Sequence, residues 1–204
     1  MHNQALKEQL PVWSAAYWRA AAAELGNLRS LTFAALIVAL SIVISSFFIP
    51  VAENLRIYFK FLVTAVGSAV YGPVVALLVG AASDTLGFII HPSGAYFPGY
   101  LISEMLGNLI FALFLYRKRV SILRLLLARG IIDFFVNAGL GSLWSAMLYS
   151  KGFIYYAATS LVKNALLWIP ETILLTLLFT LMLPILVRFR AVPAQPKKKL
   201  LPWI

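Results

Sequence analysis

The 204-residue chain contains no cysteine. Disulfide staples, a thiol nucleophile and thiolate metal sites are all excluded by that one absence. Histidine is nearly as scarce: His2 and His91 are the two, and His91 falls at the end of an apolar run. The apolar segments therefore hold neither a histidine-based metal site nor a serine–histidine dyad, although Gly141-Ser142 superficially resembles an intramembrane serine protease motif. A Gly-x-x-x-x-Gly-Lys-Ser/Thr phosphate loop is also missing, which excludes ATP hydrolysis by that route. An enzyme is not expected.

Charge is the next shortage. Charged residues make up 12% of the chain and apolar ones 62%, whereas a soluble domain keeps about a quarter of its residues charged. A mean hydropathy of +0.90 completes the picture of a chain built for lipid. The charges present are unbalanced, with 17 Lys/Arg against 7 Asp/Glu. A nucleic-acid partner is not expected, because these cations cluster at the ends of apolar runs, as loop charges of membrane proteins do. No polar stretch is long enough for a separate soluble domain. The first long apolar run starts only at Leu31, with no small-residue cleavage site after it, so a cleavable signal is not expected either.

A helix needs about 20 apolar residues to cross the hydrocarbon layer. Leu31 to Ile49 meets this and stops at Pro50. Tyr58 to His91 is too long for one crossing, and Gly72-Pro73 divides it into two. Phe97 to Tyr116 and Arg124 to Tyr149 supply two more, and Phe153 to Val187, with Pro170 inside, reads as one kinked helix or two short ones. Loop charge decides among these. Six spans place Lys7, Arg19, Arg29, the loop Arg117, Lys118, Arg119, Arg124, and the tail Arg188, Arg190, Lys197, Lys198, Lys199 on one side, leaving Arg56, Lys60 and Lys151 opposite. Merging the second and third spans, or splitting the last at Pro170, moves a basic cluster outside, against the positive-inside rule. The expectation is an all-α integral membrane protein of six transmembrane helices with both termini cytoplasmic. It divides into a cytoplasmic arm over 1–30, a membrane domain over 31–190 and a basic tail over 191–204. Within the arm, Leu10, Trp13, Tyr17 and Ala21 recur at helical spacing, as in an amphipathic helix lying on the inner membrane surface. The tail from Pro193 to Pro202 reads as disordered and drawn to anionic lipid.

Ionisable residues within the spans are the strongest pointers to function, because each costs about 2.5–3.5 kcal/mol at a helix centre. They are Asp84, Glu104, Arg129, Asp133, Lys163 and Glu171. Arg129 and Asp133 stand four apart and can neutralise one another on one helix face. Lys163, next to Asn164, has no acidic residue three or four positions away, and a ligand carboxylate or Asp84 or Glu104 on another helix can satisfy it. The loop His91 to Tyr100 carries Tyr96, Phe97 and Tyr100 among two prolines and two glycines, and these aromatics can close over a flat ligand or anchor helices at the interface. Trp144, with Asn137 two turns before it, offers a stacking surface and an amide on one face, in the mostly apolar style of small-molecule pockets. Ala35 and Ala39, like Ala76 and Gly80, have the spacing that lets another helix approach closely.

Taken in order, several segments resemble the S-components of energy-coupling-factor transporters, and within them the folate family. They are Glu24-Leu25 and Arg29, Ile49 to Ile57, Tyr71-Gly72-Pro73, Gly80 to Asp84, His91-Pro92, Tyr96 to Gly99, Phe114 to Lys118, Leu143-Trp144 and Lys163-Asn164. The chain departs from the folate pattern at Ser41, Leu101, Glu104, Gly141-Ser142 and Ser160. The resemblance implies a six-helix subunit that takes a vitamin, folate foremost, from outside. It also implies docking on a transmembrane coupling subunit that carries two ATPases, and toppling in the membrane to release the ligand. ATP would then be used by the partners, with no cofactor in this chain. Ala35 and Ala39 match the family's alanine-x-x-x-alanine docking motif. The ligand is expected to meet Tyr96, Phe97, Tyr100 and Trp144 through aromatic contact, and Asp84, Asn137, Lys163 and Asn164 through polar contact.

Overall fold

The computed structural model describes residues 10–52, 55–92, 96–149, 151–193 and 201–203. The basic residues Lys7 and Lys197 to Lys199, and Glu53-Asn54 of the resemblance, lie outside these. Among the described residues, five stretches are long and apolar enough to cross a membrane: Leu28–Ser45, Lys60–Ile90, Pro98–Leu115, Ile122–Leu148 and Phe153–Arg188.

The chain enters through α1 (Ala15–Ala23), capped by Ser14, whose hydroxyl accepts from the Tyr17 amide. Tyr17 and Ala21 of the sequence stripe are fully buried against Tyr116, whereas Trp13 is 97% exposed. The buried side of the arm thus packs on the protein itself. A single glycine-ended 3₁₀ turn, Glu24–Gly26, leads into α2 (Leu28–Ser45), whose N-cap Asn27 accepts from the Arg29 amide. The buried Glu24 carboxylate ties this junction together: Ser30 and Asn27 donate to one oxygen, and the Tyr116 hydroxyl donates to the other at 3.1 Å. Burial is the main cause pushing the Tyr116 phenol up to about 12.

The first span ends at Ser45, four residues short of the expected Ile49, because Phe48–Ala52 (β1) pairs antiparallel with Leu55–Tyr58 (β2). This hairpin is the one β element among the described residues of an otherwise helical fold. Pro50 is tolerated in it because a two-stranded ribbon has only edges, and the register slips between Pro50 and Ala52.

The run Lys60–Ile90 (α3) is interrupted at Gly72, with φ +78° and ψ −179°. Only glycine occupies that region without strain, and the following Pro73 lacks the amide that a new helix would leave unpaired. The break reverses the chain. Lys60 Nζ lies 3.0 Å from Glu104 Oε2, and a Cβ added to Gly80 would lie 2.9 Å from the Glu104 carbonyl oxygen. A straight helix would hold residues 60 and 80 about 30 Å apart. The two arms of α3 are therefore a helical hairpin. Its turn is packed against Tyr116, whose ring would sit 2.9 Å from a Cβ on Gly72.

Helix α4 (Pro98–Leu115) runs antiparallel to the second arm of α3, Gly80 meeting Glu104 and Met105, and Phe88 meeting Tyr96 just before the helix. Next come α5 (Ile122–Ile131), a π-helical stretch over Ile132–Leu140, and α6 (Gly141–Leu148), forming one continuous rod. Ser121 caps α5, and its first amides at Ile122 and Leu123 donate to the carbonyls of Pro202 and Trp203. The chain end at 201–203 thereby docks on the bundle, with Leu201 buried. Helix α7 (Phe153–Arg188) continues through Pro170 and Pro184 for 36 residues. The main core joins α3, α4, α5 and α7 through Phe61, Phe111, Leu125 and Phe179.

Candidate functional site

The first turns of α4, from Pro98, bring two kinds of side chain together. The first kind is aromatic. Phe97 packs against Tyr100 at 6.0 Å and Trp144 at 5.7 Å between ring centroids, and the Trp144 indole donates to the Ser103 hydroxyl at 3.0 Å. Gly99 makes this possible, since a Cβ there would lie 2.4 Å from the Phe97 ring and 2.6 Å from Trp144. Of the four expected aromatics, the structure therefore gathers Phe97, Tyr100 and Trp144. Tyr96 turns aside to Phe88, 5.2 Å away edge-on.

Charges stand one turn further along α4, at Glu104. Half-buried Asp84 lies in the electrostatic field of both Glu104 and Lys60, which are themselves paired. Lys60 reads as a loop charge from its place at the start of an apolar run. The fold makes it the first residue of α3 and turns its ammonium inward to Glu104.

The second polar group lies on the π-helical stretch and α7. Arg129 binds Asp133 Oδ1 at 3.0 Å, as its spacing predicts, but also binds Glu171 Oε2 at 2.6 Å and stacks over Phe61. All three side chains are buried, and a protein interior holds such groups when they are paired. Asn137 donates to Asp133 Oδ1 at 3.1 Å. Asn164 donates to both the carbonyl and the hydroxyl of Ser160, and that hydroxyl donates to the Asn137 carbonyl. Lys163 faces the field of Glu171 and Asp133. Of the acidic partners considered for Lys163, Glu104 is engaged by Lys60 instead. Asn137, Lys163 and Asn164 thus share one network, apart from Asp84. Glu171 and Ser160 are the members that helical spacing does not reveal, since their partners lie 42 and 23 residues away.

A groove of about 550 Å³ opens among Leu106, Ile131, Phe135, Leu140, Leu143 and Phe153. Its lining is apolar. No nucleophile–base pair is assembled among these side chains, and the chemistry available is that of binding: stacking, amide hydrogen bonds and charge. Ala35 and Ala39 belong to neither group. They lie exposed on the outward face of α2, beside Leu36 and Leu40.

The architecture and sequence match known proteins closely. A family profile described as "ECF-type riboflavin transporter, S component" matches residues 26–188. The folate transporter FolT of Clostridium novyi is 39% identical over 136 residues, covering 67% of this chain and 79% of that protein. The folate transporter FolT of Leuconostoc mesenteroides is 28% identical over 147 residues, covering 69% and 78%. Among solved structures, the crystal structure of FolT bound with folic acid superposes with a TM-score of 0.64 at 25% identity, covering 72% of this chain and 88% of that one. The chain is a membrane protein and no enzyme: it belongs to the S-component family of ECF-type transporters.

Proposed function

We propose that the chain captures folate at the outer face of a bacterial plasma membrane and delivers it inward through an ATP-driven coupling module. The observation that carries the ligand is the 39% identity with a folate transporter across four-fifths of that protein's length. The site is compatible with it: an aromatic cluster of Phe97, Tyr100 and Trp144 suits a flat aromatic ring, and the half-buried ammonium of Lys163 suits a carboxylate. Six crossings with both ends cytoplasmic follow if each arm of the α3 hairpin spans once, which keeps the basic clusters on the inner side. Docking through Ala35 and Ala39 on a transmembrane coupling subunit with two ATPases, and toppling to release the ligand, complete the proposed cycle. This chain would need no cofactor of its own, the partners using ATP.

Titration of folate into the detergent-purified protein, followed by tryptophan fluorescence and by heat, tests the ligand. Tight binding at one site is expected, with quenching of Trp144. A second reading, a different vitamin or heterocycle, is favoured by the family profile, which is named for riboflavin. Folded protein that ignores folate but binds riboflavin would establish it.

A further inference from the structure

The charges around α4 do not sum to zero. Lys60 Nζ lies 3.0 Å from Glu104 Oε2, with the two side chains 18% and 33% exposed. Asp84 approaches the same pair from the other arm of α3. Gly80, one turn earlier, touches the backbone of Glu104 and Met105, so its helix face presents Asp84 one turn along α4 from Glu104. Among the described side chains, one ammonium and two carboxylates sum to a local charge of minus one. The second polar group behaves differently, because Arg129 and Lys163 balance Asp133 and Glu171.

The unbalanced group is placed to act on a ligand. Glu104 follows Ser103, which holds the Trp144 indole, and lies one turn from Tyr100. A ring stacked on Tyr100 lies one helical turn along α4 from Glu104. Half-buried charges at that range are weakly screened and act chiefly as selectors, favouring one ligand charge over another.

We infer that Lys60, Glu104 and Asp84 form a charge filter of the ligand site: Lys60 attracts a ligand carboxylate, Glu104 offsets that attraction, and the net negative charge penalises each additional carboxylate. The inference rests on the folate reading and adds to it a rule of selection by ligand charge. Within that reading, the favoured substrates are the least anionic members of the class, and polyglutamylated forms are rejected.

The test compares folic acid with pteroic acid, which lacks the glutamyl residue and so one carboxylate. The Kd of each is measured on the full-length protein in detergent at low salt. Glu104→Gln keeps the shape and removes the negative charge, and should shift the Kd ratio toward folic acid on the order of tenfold. Lys60→Met should shift it the opposite way by a similar factor. The double variant restores a local charge of minus one and should return the ratio to within about twofold of the unmodified protein, since a filter acting through net charge is then unchanged. Opposite shifts with restoration in the double variant are what a charge filter requires. A pair that is merely structural would weaken both ligands alike in both single variants, and that result, or an unchanged ratio, overturns the filter while leaving folate binding intact. Failure of the unmodified, folded protein to bind either compound overturns the folate reading and the filter with it.

Discussion

Lys163 is half-buried on α7, facing two carboxylates that Arg129 already engages. Its ammonium can therefore bind a ligand carboxylate without first breaking a direct ion pair of its own. Lys163→Ala should weaken a carboxylate-bearing ligand by about 1.5–3 kcal/mol, the range of a charged hydrogen bond. Calorimetric titration of a correctly folded variant checks this, and unchanged affinity would remove Lys163 from the site. At this scale the sequence is legible where the chemistry is local. Arg129 and Asp133 are readable as a pair because four residues make a helical turn, and the structure closes that pair at 3.0 Å. The role of Glu171 is not readable, because packing of α5 on α7 brings together residues 42 positions apart. Lys60 is hidden for a related reason. Its position at the head of an apolar run fits a solvated loop equally well, and only the reversal at Gly72 reveals that Glu104 receives it.

At the scale of elements, the break in α3 is the feature on which the site depends. Gly72 and Pro73 mark it in the sequence, through the residue types that begin and end helices. The structure supplies the reason that glycine is needed: its positive φ, together with the Tyr116 ring pressed on its Cα. Gly72→Ala should lower the thermal stability of the purified protein by about 1–3 kcal/mol from backbone strain alone, with the ring contact adding to it. Gly26→Ala is the matched control, since a Cβ there meets nothing within 4 Å. Equal melting temperatures for the two variants would show that the hairpin does not rely on Gly72. The π-helical stretch over Ile132–Leu140 is the opposite case. Its residues carry an ordinary apolar pattern, and nothing in it announces the wider turn. Such stretches recur at functional sites, and this one sets Asn137 against Asp133 and Ser160. The β1–β2 hairpin was hidden in the same way, since Phe48 and Ile49 extend an apolar run that a helix could equally well have used.

At the scale of the whole molecule, the ligand groups and the outward face of α2 are separate surfaces. Ile37 and Ser41 of α2 point into the bundle, while Ala35, Leu36, Ala39 and Leu40 point away from it. Two small residues one turn apart amid larger apolar ones form a shallow notch, and in a membrane such notches let another helix approach to backbone distance. The gain comes from van der Waals contact, because lipid already satisfies the apolar surface. It is therefore sensitive to a side chain that fills the notch. Ala35→Trp/Ala39→Trp should leave folate affinity within about twofold of the unmodified protein, because neither position shares a contact with the ligand groups and distant sites act independently. The same variant should fail to bring down a coupling subunit and its ATPases on co-purification from membranes. Retention of that complex would place the docking surface elsewhere on the bundle. Loss of folate binding together with the complex would instead show that α2 supports the ligand site through the bundle, and that capture and docking are a single property of the fold.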